Sequence, residues 1–191
     1  MRSRLLILGA AATAAALLDA CGDPTRLKAT TPTVADTLSA YALTGSGGLL
    51  PVGLETSARH VVFLDNTFDI AFDLDGSNRP VLLPAKLVAS NFGIPREVGL
   101  LRVTPDTLRF DDILRAPLEP YNFDSALVVN PGESVIVQAQ NNTLCLGALA
   151  RTIYSKLAID SVDAARRVVF FRMVVDPNCG FRSFLPGIPT G

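Results

Sequence analysis

Apolar and polar side chains alternate one by one between residues 68 and 75, and this period of two constrains the fold more than any other feature. One parity holds Phe68, Ile70, Phe72 and Leu74, and the other holds Asp69, Ala71, Asp73 and Asp75. Because successive side chains of a strand point to opposite faces of a sheet, the pattern predicts a strand with one buried face and an acidic outer face. The turn residues 75–78 and the apolar run 80–83 predict that this strand returns as a hairpin.

Two further segments have the same strand–turn–strand pattern. Residues 125–129 and 133–138 flank Asn130, Pro131 and Gly132, and residues 153–159 and 167–175 flank a turn near Asp163. Residues 168–175 are rich in β-branched and aromatic side chains, which is typical of a central strand. No long stretch after residue 21 has a helical period. We therefore expect an all-β fold, with a single antiparallel β-sandwich over residues 37–191.

One short segment narrows the expected type of sandwich. Residues 130–137, with the sequence NPGESVIV, resemble the strand entry of bacterial immunoglobulin-like modules. The resemblance covers eight residues and implies an immunoglobulin-like sandwich. It implies no catalytic activity.

The first 20 residues have the composition of a secretion signal. Arg2 and Arg4 form a basic start, and residues 5–18 form an uncharged apolar run. As a helix this run would rise roughly 21 Å, which is shorter than the bilayer core of about 30 Å. The segment therefore predicts export with cleavage of the signal, not a retained membrane span.

The end of this signal, Leu18-Asp19-Ala20-Cys21, resembles the lipobox of bacterial lipoproteins, although Asp19 departs from the small or apolar residue usual there. The resemblance implies that residues 1–20 are removed and that Cys21 is lipidated as the first mature residue. An ordinary cleaved secretory signal is the alternative. Residues 21–36 are polar and contain Thr and Pro, and they predict a flexible, lipid-anchored tether. Gly22 after the cysteine implies sorting to the outer membrane, with the protein facing the periplasm or the cell surface.

The cysteine count agrees with this interpretation. The sequence holds three cysteines, and lipidation of Cys21 would leave Cys145 and Cys179 as a pair in an oxidising compartment. Cys145 precedes the first strand of the hairpin predicted over residues 153–175, and Cys179 follows its second strand. Because the two strands pair side by side, these outer ends lie next to each other, and the cysteines can approach within disulfide distance. We expect a Cys145–Cys179 disulfide that holds Phe181 and Phe184 against the sheet. Two buried free thiols are the alternative.

Few residues offer catalytic or metal chemistry. His60 is the only histidine, and its strand-like surroundings favour a solvent-facing structural role over that of a general base. Asp73 and Asp75 could hold calcium only with additional ligands, whereas acidic residues that keep a sheet face soluble explain the pattern more simply. We therefore predict no catalytic residues, no metal site and no cofactor.

These observations favour a lipid-anchored envelope module that binds a protein, an envelope polymer or a small ligand without catalysis. A formal net charge of −1 with interspersed signs argues against nucleic acid as a partner. The alternative is an envelope hydrolase whose acidic residues lie far apart in the sequence, because paired catalytic carboxylates need no fixed spacing.

Overall fold

A computed structural model of the chain describes residues 28–46, 49–64, 67–88, 96–104, 106–118 and 120–190. Within these residues the fold is all-β, as predicted, and consists of two antiparallel five-stranded sheets. The first sheet has the order β1-β10-β9-β8-β6 and the second the order β3-β2-β4-β5-β7. The strands are β1 (Val34–Tyr41), β2 (Gly53–Glu55), β3 (His60–Val62), β4 (Ile70–Leu74), β5 (Pro80–Pro84), β6 (Val98–Val103), β7 (Leu127–Val128), β8 (Ser134–Gln140), β9 (Thr152–Asp163) and β10 (Val168–Asp176). A short helix α1 (Ala85–Val88) follows β5, and a 3₁₀ turn spans Phe110–Asp112.

The two sheets share one hydrophobic core, to which nine of these strands or their flanks contribute buried side chains. Phe72 of β4 stacks on Phe171 of β10 with ring centroids 4.7 Å apart, and both side chains are fully buried. Such an aromatic pair contributes about 0.5–1.5 kcal/mol beyond the burial of its area. This contact joins the second sheet to the first. An immunoglobulin-like identity for the assembly stays a prediction.

Two of the three predicted hairpins are confirmed. β4 pairs with β5, with Phe72 opposite Leu82, and β9 pairs with β10, with Leu157 opposite Met173. The predicted hairpin around residues 130–132 is wrong. β7 pairs with β5 in the second sheet, whereas β8 pairs with β6 and β9 in the first. The turn therefore carries the chain from one sheet to the other, because turn chemistry specifies a change of direction and not the strand that becomes the partner.

The predicted acidic outer face of β4 is also wrong at one end. Asp69, directly before β4, is fully buried, and so is Ala71. Ala71 packs in a second apolar cluster with Ala85 of helix α1 and with Phe68, so Phe68 does not join the core of Ile70 and Phe72 as the alternation predicted, because it precedes β4. At this end both faces of the strand are therefore covered, and the Asp69 carboxylate is held there by an ion pair and by hydrogen bonds.

The predicted boundary between tether and domain needs correction. β1 begins at Val34, inside the segment expected to be a tether. The backbone N–H groups of Thr30 and Thr31 donate to Oδ1 of Asn178 over 2.8 and 3.0 Å. Residues from about 30 onward therefore belong to the domain. Residues 21–27 of the predicted tether, and the predicted signal over residues 1–20, lie outside the described residues.

Candidate functional site

One end of the two-sheet domain collects the features that bear on function. β1 starts there, β8 ends there, β9 starts there and β10 ends there, because Val34 is opposite Val175 and Gln140 is opposite Thr152. We call this the entry end, and define it by residues 28–33, the connection 141–151 and residues 176–181. The chain enters the described domain at this end.

The predicted disulfide between Cys145 and Cys179 is formed at the entry end, with the two Cα atoms 5.7 Å apart. It joins the connection between β8 and β9 to the segment that follows β10. The N–H of Gly180 donates to the carbonyl of Thr152 over 2.8 Å and holds the same segment against β9. Phe181 and Phe184 are buried beyond it, as expected.

An open cleft of about 910 Å³ lies beside this connection. Its apolar part includes Phe63 and Leu144, both substantially exposed to solvent. Its polar part includes Glu55, Ser57 and Arg96, and a hydrogen bond of 3.1 Å from the Asn141 side chain to Ser57 Oγ ties the connection to this part. The remaining lining residues are Ala58, His60, Val61, Val62, Thr67, Asn141 and Thr143. The mixture of apolar surface and a few fixed polar groups is typical of ligand-binding clefts.

Arg96 organises the polar part of the cleft. Its Nη1 donates to Asp69 Oδ1 and its Nη2 to Glu55 Oε1, each over 3.0 Å. The other oxygen of Asp69 accepts hydrogen bonds from the N–H and the hydroxyl of Thr56 over 2.7 and 2.6 Å. Burial by itself lowers the pKa of the Arg96 guanidinium, but the charges and hydrogen bonds of Asp69 and Glu55 outweigh it and raise that pKa. Both carboxylates are therefore compensated by a permanent cation.

The histidine and the acidic residues singled out in the sequence are not brought together. His60 begins β3, is exposed and lines the cleft, which confirms its prediction as a solvent-facing strand residue. Asp73 accepts hydrogen bonds from Thr44 and Arg167, and Asp75 pairs with Arg79 at 2.7 Å. The sequence holds a further acid of the same parity, Asp65, which lies outside the described residues. In the part of the chain that the structure describes, no three His, Cys, Asp or Glu side chains gather as metal ligands.

Lys156 is a buried charge that the sequence reasoning missed. Only 4% of it is exposed, and its Nζ donates to the carbonyls of Phe110 and Ile113 over 2.6 and 3.0 Å. The ammonium also lies 4.4 Å from the centroid of the Phe110 ring. Burial lowers the pKa of this lysine. The hydrogen bonds that the ammonium donates hold the 3₁₀ turn on the outer face of β9, so the role of Lys156 is structural. The local sequence pattern does not indicate which residues cover that face.

Comparisons of the chain with protein-family models, with curated proteins and with solved structures found no match. Among the described residues, no helix is both long enough and apolar enough to cross a membrane. Cys21 lies outside those residues. The chemistry of the entry end is therefore the basis for assigning a function.

Proposed function

We propose that this protein is a lipid-anchored protein of the bacterial cell envelope and that its domain is a non-catalytic binding or structural module. The observation that carries the proposal is the Cys145–Cys179 disulfide. It uses two of the three cysteines in the sequence, which leaves Cys21, at the end of a secretion-type segment, for lipidation. Disulfides persist in oxidising compartments, which agrees with export.

The cleft at the entry end supports binding over catalysis. A glycosidase-type hydrolase needs one carboxyl group that gives up a proton and a second that acts as base or nucleophile. Glu55 and Asp69 converge in this region, but both are bound by Arg96. A fixed ion cluster beside exposed Phe63 and Leu144 suits recognition of a ligand with apolar and polar parts. The partner is an envelope protein, an envelope polymer or a small ligand, and the proposed location is the outer membrane, facing the periplasm or the cell surface.

The anchor is tested by intact-mass analysis of the full chain purified from bacterial membranes. The expected protein starts at Cys21 and carries acyl chains, and Cys21→Ser should remove both the acyl mass and the tight membrane attachment. Each buried methylene contributes about 0.8 kcal/mol, so loss of several acyl chains should release the domain. A mature protein that starts elsewhere, with no acyl mass, would contradict the anchor.

Binding by the cleft is tested in living bacteria that produce the full chain with a photoreactive phenylalanine analogue in place of Phe63. The matched control carries the analogue at Leu49, which is also exposed but does not line the cleft. A defined adduct that forms from position 63 and not from position 49 supports recognition at the cleft. Equal labelling from both positions, or turnover of a substrate by the purified protein, would overturn the assignment as a non-catalytic binding module.

A further inference from the structure

The connection between β8 and β9 presents three leucines to solvent. Leu144, Leu146 and Leu149 are 54%, 84% and 73% exposed. We call residues 141–151 the leucine loop. It contains no acidic residue, and its last residue, Arg151, is an exposed cation. Apolar side chains grouped in one exposed segment mark a surface that contacts another apolar phase or molecule.

The exposure of these leucines is built into the loop. The Leu144 N–H donates to Asn141 Oδ1 over 2.8 Å, and the Cys145 N–H donates to the Asn141 carbonyl over 3.0 Å. Asn141 is itself buried, and the disulfide ties Cys145 to Cys179. The loop is therefore held by hydrogen bonds and a covalent bond in a conformation that directs its leucines outward.

The first described residues of the chain lie directly beside the leucine loop. Lys28 and Thr31 share with Leu144 and Leu149 the lining of a cleft of about 460 Å³, whose described lining contains no carboxylate. Lys28 is seven residues from Cys21. Seven residues of extended chain span at most about 25 Å. An anchor at Cys21 would therefore keep Lys28, which lies beside the leucine loop, within that distance of the lipid surface.

We propose that the leucine loop is a membrane-docking surface, and that its leucines enter the boundary between headgroups and acyl chains next to the anchor. This inference rests on the proposed lipid anchor. Leucine side chains suit that boundary, and the exposed cations Lys28 and Arg151 suit anionic headgroups at its rim. Leu144 also lines the larger cleft described above, so docking would place that cleft at the membrane surface.

The opposite end of the domain provides a matched control. Leu49 is 80% exposed, and it lies near the far end of β1, where the Tyr41 N–H donates to the Pro51 carbonyl. β1 has eight residues, so its ends are roughly 24 Å apart at about 3.4 Å per residue. A leucine there has nearly the same exposure as Leu146, but it should remain in water when the entry end faces the membrane.

The test uses tryptophan fluorescence, because the chain has no tryptophan of its own. Full-length Leu146→Trp and Leu49→Trp proteins are purified from membranes and reconstituted in vesicles of three parts phosphatidylcholine, with brominated acyl chains, to one part phosphatidylglycerol. We expect a blue-shifted emission for Leu146→Trp and quenching at least about fivefold stronger than for Leu49→Trp, since only a buried indole meets the bromines. Leu149→Trp repeats the measurement at a second exposed position.

The outcomes separate this inference from the anchor. Equal quenching at positions 146 and 49, or none at either, overturns docking, while an acyl mass on Cys21 leaves the anchor intact. Selective quenching at position 146 in protein without an acyl group supports docking and overturns the anchor. A blue shift that depends on protein concentration and not on vesicles overturns docking in favour of a second copy of the chain.

Discussion

Reduction of the Cys145–Cys179 disulfide should lower the melting temperature of the domain by about 11 °C, and the structure allows this number to be worked out. The two cysteines are 34 residues apart in the sequence. On the chain-entropy account, a closed loop of that length removes roughly 13 cal/mol/K from the unfolded state, which is about 3.8 kcal/mol at 25 °C. A domain of about 160 residues unfolds with an entropy near 0.34 kcal/mol/K, so the midpoint shifts by about 11 °C.

The assay compares thermal unfolding of the oxidised protein, the reduced protein and the Cys145→Ala/Cys179→Ala variant. The variant should melt slightly below the reduced protein, because truncation of the buried Cys145 side chain also leaves a small cavity. Reductant added to the variant is the control and should change nothing. Amide exchange in the leucine loop should accelerate before exchange in β9 and β10, since the loop loses its covalent tie. A shift below about 3 °C would refute the reasoning, because the cross-link would then not restrict the unfolded chain.

Two further predictions concern the buried charges. Arg96→Met should lower the free energy of unfolding in urea by about 3–5 kcal/mol because it leaves the fully buried Asp69 carboxylate without its cation, and Asp69→Asn/Arg96→Met should recover part of that loss; equal stability of the two variants would contradict the ion-pair argument. Lys156→Met should cost about 2 kcal/mol at pH 7 through the loss of two charge-assisted hydrogen bonds. Burial lowers the pKa of Lys156 below its ordinary value of 10.5, so between the two values the unfolded chain binds more protons at this residue. This adds a rise of the free energy of unfolding with pH that the Lys156→Met variant lacks. The stability difference from Lys156→Met should therefore widen as the pH is raised from 7 toward 10.5. A difference in the free energy of unfolding that stays constant over this range would show that burial does not lower the pKa of the lysine.

Local pattern was sufficient for several parts of the fold. The alternation of residues 68–75 and the apolar runs 153–159 and 167–175 predicted two hairpins that the structure contains. The disulfide followed from the second of them, because a hairpin brings the two ends of its segment together whatever surrounds it. These features depend on residues that are close in sequence, and the alternation of apolar and polar side chains along each strand is sufficient to predict them.

The candidate site was much less predictable. Nothing near His60 or Glu55 in the sequence indicates that Arg96 and the leucine loop lie beside them, because these residues come from separate connections that meet only when both sheets are assembled. The exposure of Leu146 could not be predicted from the sequence either, since an apolar residue in a turn-rich segment is buried or exposed according to what packs against it. Lys156 lies in an alternating strand at a position that should face water.

By itself, the sequence predicted the all-β class, the strands with strict alternation and the cysteine pairing, all of which depend on local period or residue count and all of which the structure contains. Only the tertiary structure decided which faces are covered and which strands become partners. Helix α1 packs on the face of β4 that holds Ala71, the 3₁₀ turn at Phe110–Asp112 accepts the Lys156 ammonium, and the turn after β7 changes sheets instead of closing a hairpin. The physical reason is that a period of two assigns each side chain to a face, whereas burial of that face depends on segments far away in the chain.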